Sequence, residues 1–309
     1  MRKFWIDTDT ASDDAVALVM AHQWSDVEVL GVSIVAGNVP VEKGVRNALK
    51  SIEICGKATP TYIGCDRPLL RPIEFATWFH GDDGMGNQFY PDAKLKAHPG
   101  HGVDALIETV KANPGEITLV TLGPLTNLAT ALIKAPEIAD LIPRTVIMGG
   151  AANTVGNVTP AAEYNIWVDP EAAYRVFHAP MPMEMVGWEL SRAEAAWTTE
   201  DMESARKLGT ERAIFAVDCN KVAYHVSVNV QKAPGVQLAD PVAMAVALSP
   251  ETIVKRSGRY FVEVETVSPF MRGNTTVDEI PVLTNTPNMG VVWSIYVDQF
   301  KEMLMTCLQ

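Results

Sequence analysis

The sequence lacks the features that would place it in a membrane, on a nucleic acid or in an oxidising compartment. No apolar run reaches the roughly 18 residues a membrane-spanning helix needs. The stretch MRKFWIDTDT meets acidic residues too soon for the apolar core of a secretory leader. Cysteine is scarce: Cys55, Cys65, Cys219 and Cys307 lack CxxC spacing, which reads as reduced thiols and not as a disulfide frame or a zinc site. Positive charge is scarce too. The 25 Lys and Arg face 37 Asp and Glu, a net charge of -12 with no basic block, which argues against nucleic-acid polymers and membranes as partners. There is no Gly-rich phosphate loop of the P-loop or Rossmann type. A cytoplasmic protein is expected, and small neutral ligands remain open.

What is present is enough apolar sequence for a substantial core. At 309 residues, 48% of them hydrophobic and 20% charged, the chain has an ordinary globular composition. Apolar runs alternate with amphipathic stretches: KFWID then DDAVALVMAHQW, VEVLGVSIVAG then VEKGVRNALKSIEICG, EITLVTLG then PLTNLATALIKA. Strand followed by helix, repeated, predicts βαβ units and an open, mostly parallel twisted sheet flanked by helices. RTVIMGG and PMEMVGW read as further strands, DPEAAYRVFHA as a helix between them. Helices are expected near 198–224 and 239–248, a hairpin within 259–280, and a closing helix at VDQFKEMLMTCL. With no repeat and no low-complexity linker, residues 1–309 read as one α/β domain.

Against this background the segment FWIDTDTASDDAVALVM carries Asp7, Asp9, Asp13 and Asp14 with no Lys or Arg beside them. Carboxylates this close resist joint ionisation unless a cation or a shared proton compensates them. Asp7 and Asp9, two apart at a strand end, are expected to share one face, while Asp13 and Asp14 open a helix whose dipole favours anions. Hard oxygen ligands converging in this way suit calcium or magnesium. One rival reading is that DTDTA resembles the DxDxT nucleophile loop of haloacid dehalogenase phosphatases, with GDDGMGN (81–87) faintly resembling their acidic metal loop. Ala11 and the early position of that acidic loop count against it.

Taken in order, DTDTASDDAVAL, VAGN (35–38), HGDDGMG (80–86), TLGPLTNLA (121–129), VIMGGA (146–151), AEYNIWVDPEAA (162–173) and ADPVAMA (239–245) resemble the nucleoside hydrolases, the inosine-uridine-preferring family, over essentially the full length. The resemblance implies an open α/β fold, a bound calcium ion, hydrolysis of the N-glycosidic bond of ribonucleosides in purine or pyrimidine salvage, and a homodimer or homotetramer. It makes Asp9 both a calcium ligand and the base that takes a proton from the attacking water, with Asp14, Asp240 and the Leu122 carbonyl as further ligands. Asp13 and Asn165 match residues that hold the ribose hydroxyls, Asn157 and Glu163 those that grip the 5'-hydroxyl, and Asn38 one near the nucleophilic water. Trp78, beside His80, is placed to stack on a base. The chemistry agrees with the residue types, because cleavage builds positive charge on the ribose and a carboxylate cage stabilises that state more than the neutral substrate.

Two departures stand out. Thr10 and Ala11 replace the usual Pro-Gly of the metal loop. Ala239 stands where inosine-uridine-preferring members carry the histidine that protonates the leaving base, so His225, Tyr224 and His80 become the nearest substitutes. A different class of function, a non-catalytic nucleoside- or ribose-binding protein, would keep the cage but would not need Asp9 as a base. Thr126, Asn127 and Asp169 are expected to cap helices, and Trp5, Trp167 and Met148 to lie in the core.

Overall fold

The computed structural model describes all 309 residues. The first half runs β1 (Arg2–Thr8), α1 (Ser12–Gln23), β2 (Val27–Ile34), α2 (Val41–Ile54), β3 (Thr61–Ile63), α3 (Thr77–His80), α4 (Gly102–Ala112), β4 (Ile117–Thr121), α5 (Thr126–Lys134) and β5 (Arg144–Met148). Then come α6 (Tyr164–Val168), α7 (Pro170–Phe177), β6 (Met183–Val186), β7 (Trp197–Thr198), α8 (Thr199–Lys207), α9 (Glu211–Cys219), α10 (Lys221–His225) and β8 (Gly235–Val236). The chain closes with α11 (Ala239–Leu248), α12 (Pro250–Ile253), β9 (Val254–Tyr260), β10 (Val262–Val264), β11 (Thr275–Val277), β12 (Met289–Ile295) and α13 (Val297–Leu308).

Eight strands form one sheet in the order β3-β2-β1-β4-β5-β6-β12-β9, all parallel except β9, which runs antiparallel to β12. The open, mostly parallel sheet expected from the alternating runs is therefore what forms. Its order reverses at β1: β2 and β3 build outward on one side, β4, β5 and β6 on the other. In such sheets the crevice beyond the carboxyl ends of the strands at the reversal is where ligands bind.

β1 divides the interior by simple alternation. Phe4 and Ile6 pack into the core shared with α1, α2, α9, α11 and α13, while Trp5 points to the opposite core under α4, α5 and α7. Helix α1 has almost no polar side: Ser12, Asp14 and the residues from Ala15 to His22 are buried. A helix apolar all round belongs inside, and α1 lies packed against α2, α9, α11 and α13. Helix α11 is buried in the same way from Asp240 to Leu248. The two pack against each other, and both open with aspartates.

The hairpin within 259–280 is β10 paired antiparallel with β11, in register Val262↔Val277. The region 198–224 contains three helices, α8, α9 and α10. Strands β3, β9 and β12 and helices α3 and α4 were not anticipated. β9 reads VKRSGRY because it is an edge strand, and its exposed Lys255, Arg256 and Arg259 break the apolar signature that interior strands show. No helix is long and apolar enough to cross a membrane.

Candidate functional site

Beyond the carboxyl ends of β1, β4 and β5 lies an open cleft, the place in such a sheet where ligands bind. Asp13, Asn38, Trp78, His80, Leu122, Asn157, Glu163, Asn165 and Asp240 line it, so the structure gathers nine of the expected site residues from seven segments of the chain. Asp9 and Asp14 are fully buried beside them. Tyr164, Trp188, Ser191, Gln231 and Gln237 also line the cleft and were missed, as was Met148, which sequence reasoning assigned to the core. Tyr164 lies inside the quoted AEYNIW motif and Trp188 just past the end of β6, where a strand-end rule could have found it. Gln231 and Gln237 carry no comparable signal.

The carboxylates converge because two buried helices start at the same place. Oxygens of Asp13, Asp14 and Asp240, from the first turns of α1 and α11, lie within 4.8 Å of one another. Asp14 is held from its own loop: Thr8 Oγ1 donates to Oδ1 at 2.5 Å and the Ala11 N–H to Oδ2 at 2.9 Å. Asp9 follows β1, and its Oδ2 accepts the Asn38 N–H at 2.5 Å. Gly37 and Gly123 flank this carboxylate so closely that a Cβ on either would collide with it, at 2.8 Å from Oδ1 in the case of Gly123.

Burial raises all four carboxyl groups, and the charge of neighbouring aspartates adds to it at Asp9, Asp13 and Asp240. Asp9 and Asp240 rise well above the ordinary carboxylate value, Asp13 to about 7, and Asp14 also rises. No Lys or Arg pairs with any of them, and Asp9 Oδ1 and Asp13 Oδ1 are buried without a hydrogen-bond partner. Orphaned hard oxygens around one point fit a divalent cation. The Leu122 carbonyl, expected as a further ligand, accepts Asn165 Nδ2 at 2.7 Å, which leaves one of its lone pairs free.

The rest of the cleft is built from backbone donors and short helices. Glu163 caps α6 and accepts the N–H groups of Asn165 at 2.9 Å, Gly150 at 2.8 Å and Ile166 at 3.3 Å, while burial lifts its pKa to about 7. Asn157 Oδ1 accepts the Tyr164 N–H at 2.9 Å. His80 closes α3; burial pushes its pKa down to about 3, so the ring is neutral and its 3.8 Å approach to Asp13 is not an ion pair. Trp78, in the same helix, is 57% exposed and meets the Phe79 ring edge-on.

Several expectations give way here. Asp7 does not share the face of Asp9. It points to the Trp5 side of β1, where it accepts hydrogen bonds from Ser33 Oγ and Asn127 Nδ2. Asn127 also accepts the Cys65 N–H at 2.7 Å, so it ties strands together where a helix cap was expected. Thr126 does not cap α5; it donates to Asp169 Oδ2 at 2.7 Å, and Asp169 caps α7 as expected. The phosphatase reading needs Asp7 at the ligand, and Asp83 of its acidic loop instead accepts three backbone N–H groups. Tyr224 and His225 do not line the cleft. Tyr224 packs partly buried against the core and bonds Thr199 at 2.5 Å, while the exposed His225 bonds Asn229 at 3.1 Å, so neither reaches the cleft.

Comparison with known proteins adds to this geometry. A family model described as inosine-uridine preferring nucleoside hydrolase matches residues 4–302. The inosine-uridine preferring nucleoside hydrolase of Leishmania major is 35% identical over 280 residues, 90% of this chain and 88% of that one. The pyrimidine-specific ribonucleoside hydrolase RihB of Escherichia coli O157:H7 is 33% identical over 308 residues, covering 100% of this chain and 97% of that one. Among solved structures, a purine-preferring ribonucleoside hydrolase from Gardnerella vaginalis superposes with a TM-score of 0.91 at 32% identity, over 99% of this chain and 98% of that one.

Proposed function

The chain belongs to the inosine-uridine preferring nucleoside hydrolase family, and from that premise we propose that it is a calcium-dependent ribonucleoside hydrolase. It cleaves the N-glycosidic bond to release free base and ribose, with residues 1–309 acting as one domain. The observation that carries this reading is the group of Asp13, Asp14 and Asp240, with the buried Asp9 beside it and no Lys or Arg as counter-charge, at a cleft on the sheet's reversal point.

Calcium held by Asp9, Asp14, Asp240 and the Leu122 carbonyl would supply the charge that makes a bound water nucleophilic near neutral pH. Asp9 takes that water's proton, and Asn38, whose N–H holds Asp9 in place, lies near the water. Asp13 and Asn165 bind the ribose hydroxyls, while Asn157 and Glu163 bind the 5'-hydroxyl. As the C–N bond lengthens, positive charge grows on the sugar and the surrounding carboxylates stabilise it. Trp78 is free to stack on the base.

Reducing-sugar release from a panel of purine and pyrimidine nucleosides tests the activity and separates a hydrolase from a mere binder. Exhaustive chelation and Asp14→Ala should each lower turnover by at least about 10²-fold, as loss of a charge-stabilising group does. Wild-type turnover under both conditions would rule out the metal assignment.

The same reading makes this a cytoplasmic salvage enzyme, assembled as a homodimer or homotetramer. The exposed apolar side chains of Val267, Phe270, Ile280 and Val282 around the β10–β11 hairpin favour such assembly, and analytical ultracentrifugation tests it.

A further inference from the structure

Ser12 opens α1 one residue before Asp13. Its side chain is fully buried and has one hydrogen-bond partner, His80 Nδ1, at 2.8 Å. That nitrogen has no other partner, since Asp13 Oδ1 stands at 3.8 Å, beyond hydrogen-bond reach. A buried hydroxyl hydrogen left without an acceptor is costly, and Nδ1 is the one acceptor within reach of Ser12. The hydroxyl must therefore donate. Nδ1 is then the bare nitrogen, and the neutral ring carries its proton on Nε2. Nε2 bonds to nothing in the protein, is not sealed within the packing, and belongs to a ring that lines the cleft, so its N–H is available to a ligand.

The surroundings hold this arrangement still. The Ser12 carbonyl accepts Cys219 Sγ–H at 3.4 Å and Asn220 Nδ2–H at 3.3 Å, which fixes the backbone under the hydroxyl. Phe79 packs edge-on against the imidazole, with ring centroids 4.9 Å apart.

We propose that Ser12 is a positioning residue that locks His80 as an Nε2–H donor to the departing base, a task for which the methyl group of Ala239 offers no donor. This rests on the nucleoside hydrolase reading above. A neutral imidazole gives a hydrogen bond and keeps its proton. The C–N bond breaks with its electron pair going to the base, the base is held as an anion by Nε2–H, and solvent protonates it. The proton of the attacking water goes to Asp9.

Two measurements on the full-length protein in the presence of calcium test this. In ¹⁵N-histidine NMR spectra, with the His80 signals assigned through His80→Gln, the wild-type ring should be the Nε2–H tautomer. In Ser12→Ala the ring should lose that fixed state, and Ser12→Thr, which keeps the hydroxyl, should restore it. In steady-state assays, losing one preorganised donor costs about 10²–10³ in kcat, and loosening it should cost about tenfold or more. Ser12→Ala should show that loss on inosine and uridine with little change in KM, yet spare p-nitrophenyl riboside, whose leaving group needs no such help. An Nδ1–H tautomer in the wild type overturns the proposal. So does a parallel loss on nucleosides and p-nitrophenyl riboside, which would indicate a role in folding or sugar binding, and so does the absence of any loss. A wild type that hydrolyses no nucleoside overturns the parent reading instead, and the NMR result separates the two failures.

Discussion

Asp9 has no room to move. Its carboxylate is fixed by the Asn38 N–H and enclosed by Gly37 and Gly123, neither of which can gain a Cβ without displacing it. A general base must hold the water's proton within hydrogen-bond reach, and small displacements of catalytic groups are punished heavily. Gly123→Ala should therefore lower kcat/KM by about 10²-fold or more while leaving the far-UV circular dichroism unchanged. Near-normal turnover in this variant would mean that Asp9 tolerates displacement and is not the base. At the same scale Asp7 shows that an aspartate in the motif need not serve the site. It is fully buried, its pKa is raised to about 7 by that burial, and its partners are Ser33 and Asn127, away from the cleft.

Those partners belong to different elements. Asp7 is on β1, Ser33 on β2 and Asn127 on α5, and Asn127 also holds the segment after β3 through the Cys65 N–H. Truncating Asn127 leaves the Cys65 N–H unpaired and takes from Asp7 Oδ2 one of its two donors, Ser33 Oγ remaining, so Asn127→Ala should destabilise the fold by about 1–3 kcal/mol. Urea denaturation should show this as a lower midpoint, with calcium affinity unchanged; an unaltered midpoint would mean that the network bears no structural load. Much of this level could be read in the sequence. The repeated strand and helix patterns identified β1, β2, β4, β5 and β6 and the converging strand ends, and nine of the expected site residues line the cleft, seven of them inside the quoted motifs. Charged edge strand β9 and the three-residue β3 escaped because neither carries an apolar signature. The placement of α10, which keeps Tyr224 and His225 from the cleft, depends on packing against distant elements that local pattern does not encode. Ser12 escaped too, since its pairing with His80 is a contact across the chain.

For the molecule as a whole, acid stability should respond to a residue far from the cleft. His22, near the end of α1, is buried, donates Nδ1–H to the Leu18 carbonyl at 2.8 Å and faces Thr59 Oγ1 at 2.8 Å. Burial pushes its pKa down from 6.5 to about 4. Between those values the unfolded chain binds a proton that the folded chain refuses, so stability falls as pH drops from 6.5 toward 4, by about 3 kcal/mol in all, and is untouched above that window. Buried carboxyls such as Glu163 trend the opposite way, losing stability as pH rises toward 7. The His22 contribution is therefore read as a difference. Relative to wild type, His22→Gln should gain stability on acidification by that amount, and parallel pH profiles for the two proteins would refute the assignment.

The meeting of α1 and α11 also dictates an order of events in the life of the chain. Asp9, Asp13 and Asp14 leave the ribosome long before Asp240, which emerges only when most of the sheet has been made. Until α11 docks against α1, the early aspartates are solvated side chains on an unfinished helix, with little hold on a cation. Ion capture would then come last, as a latch set after assembly and not as a seed for it. Calcium should accordingly leave the refolding rate almost unchanged and slow unfolding, because interactions absent from the transition state act on that limb alone. Stopped-flow measurements with and without the ion can read this directly, and a refolding rate that climbs with calcium would place the aspartates together before the chain has closed around them.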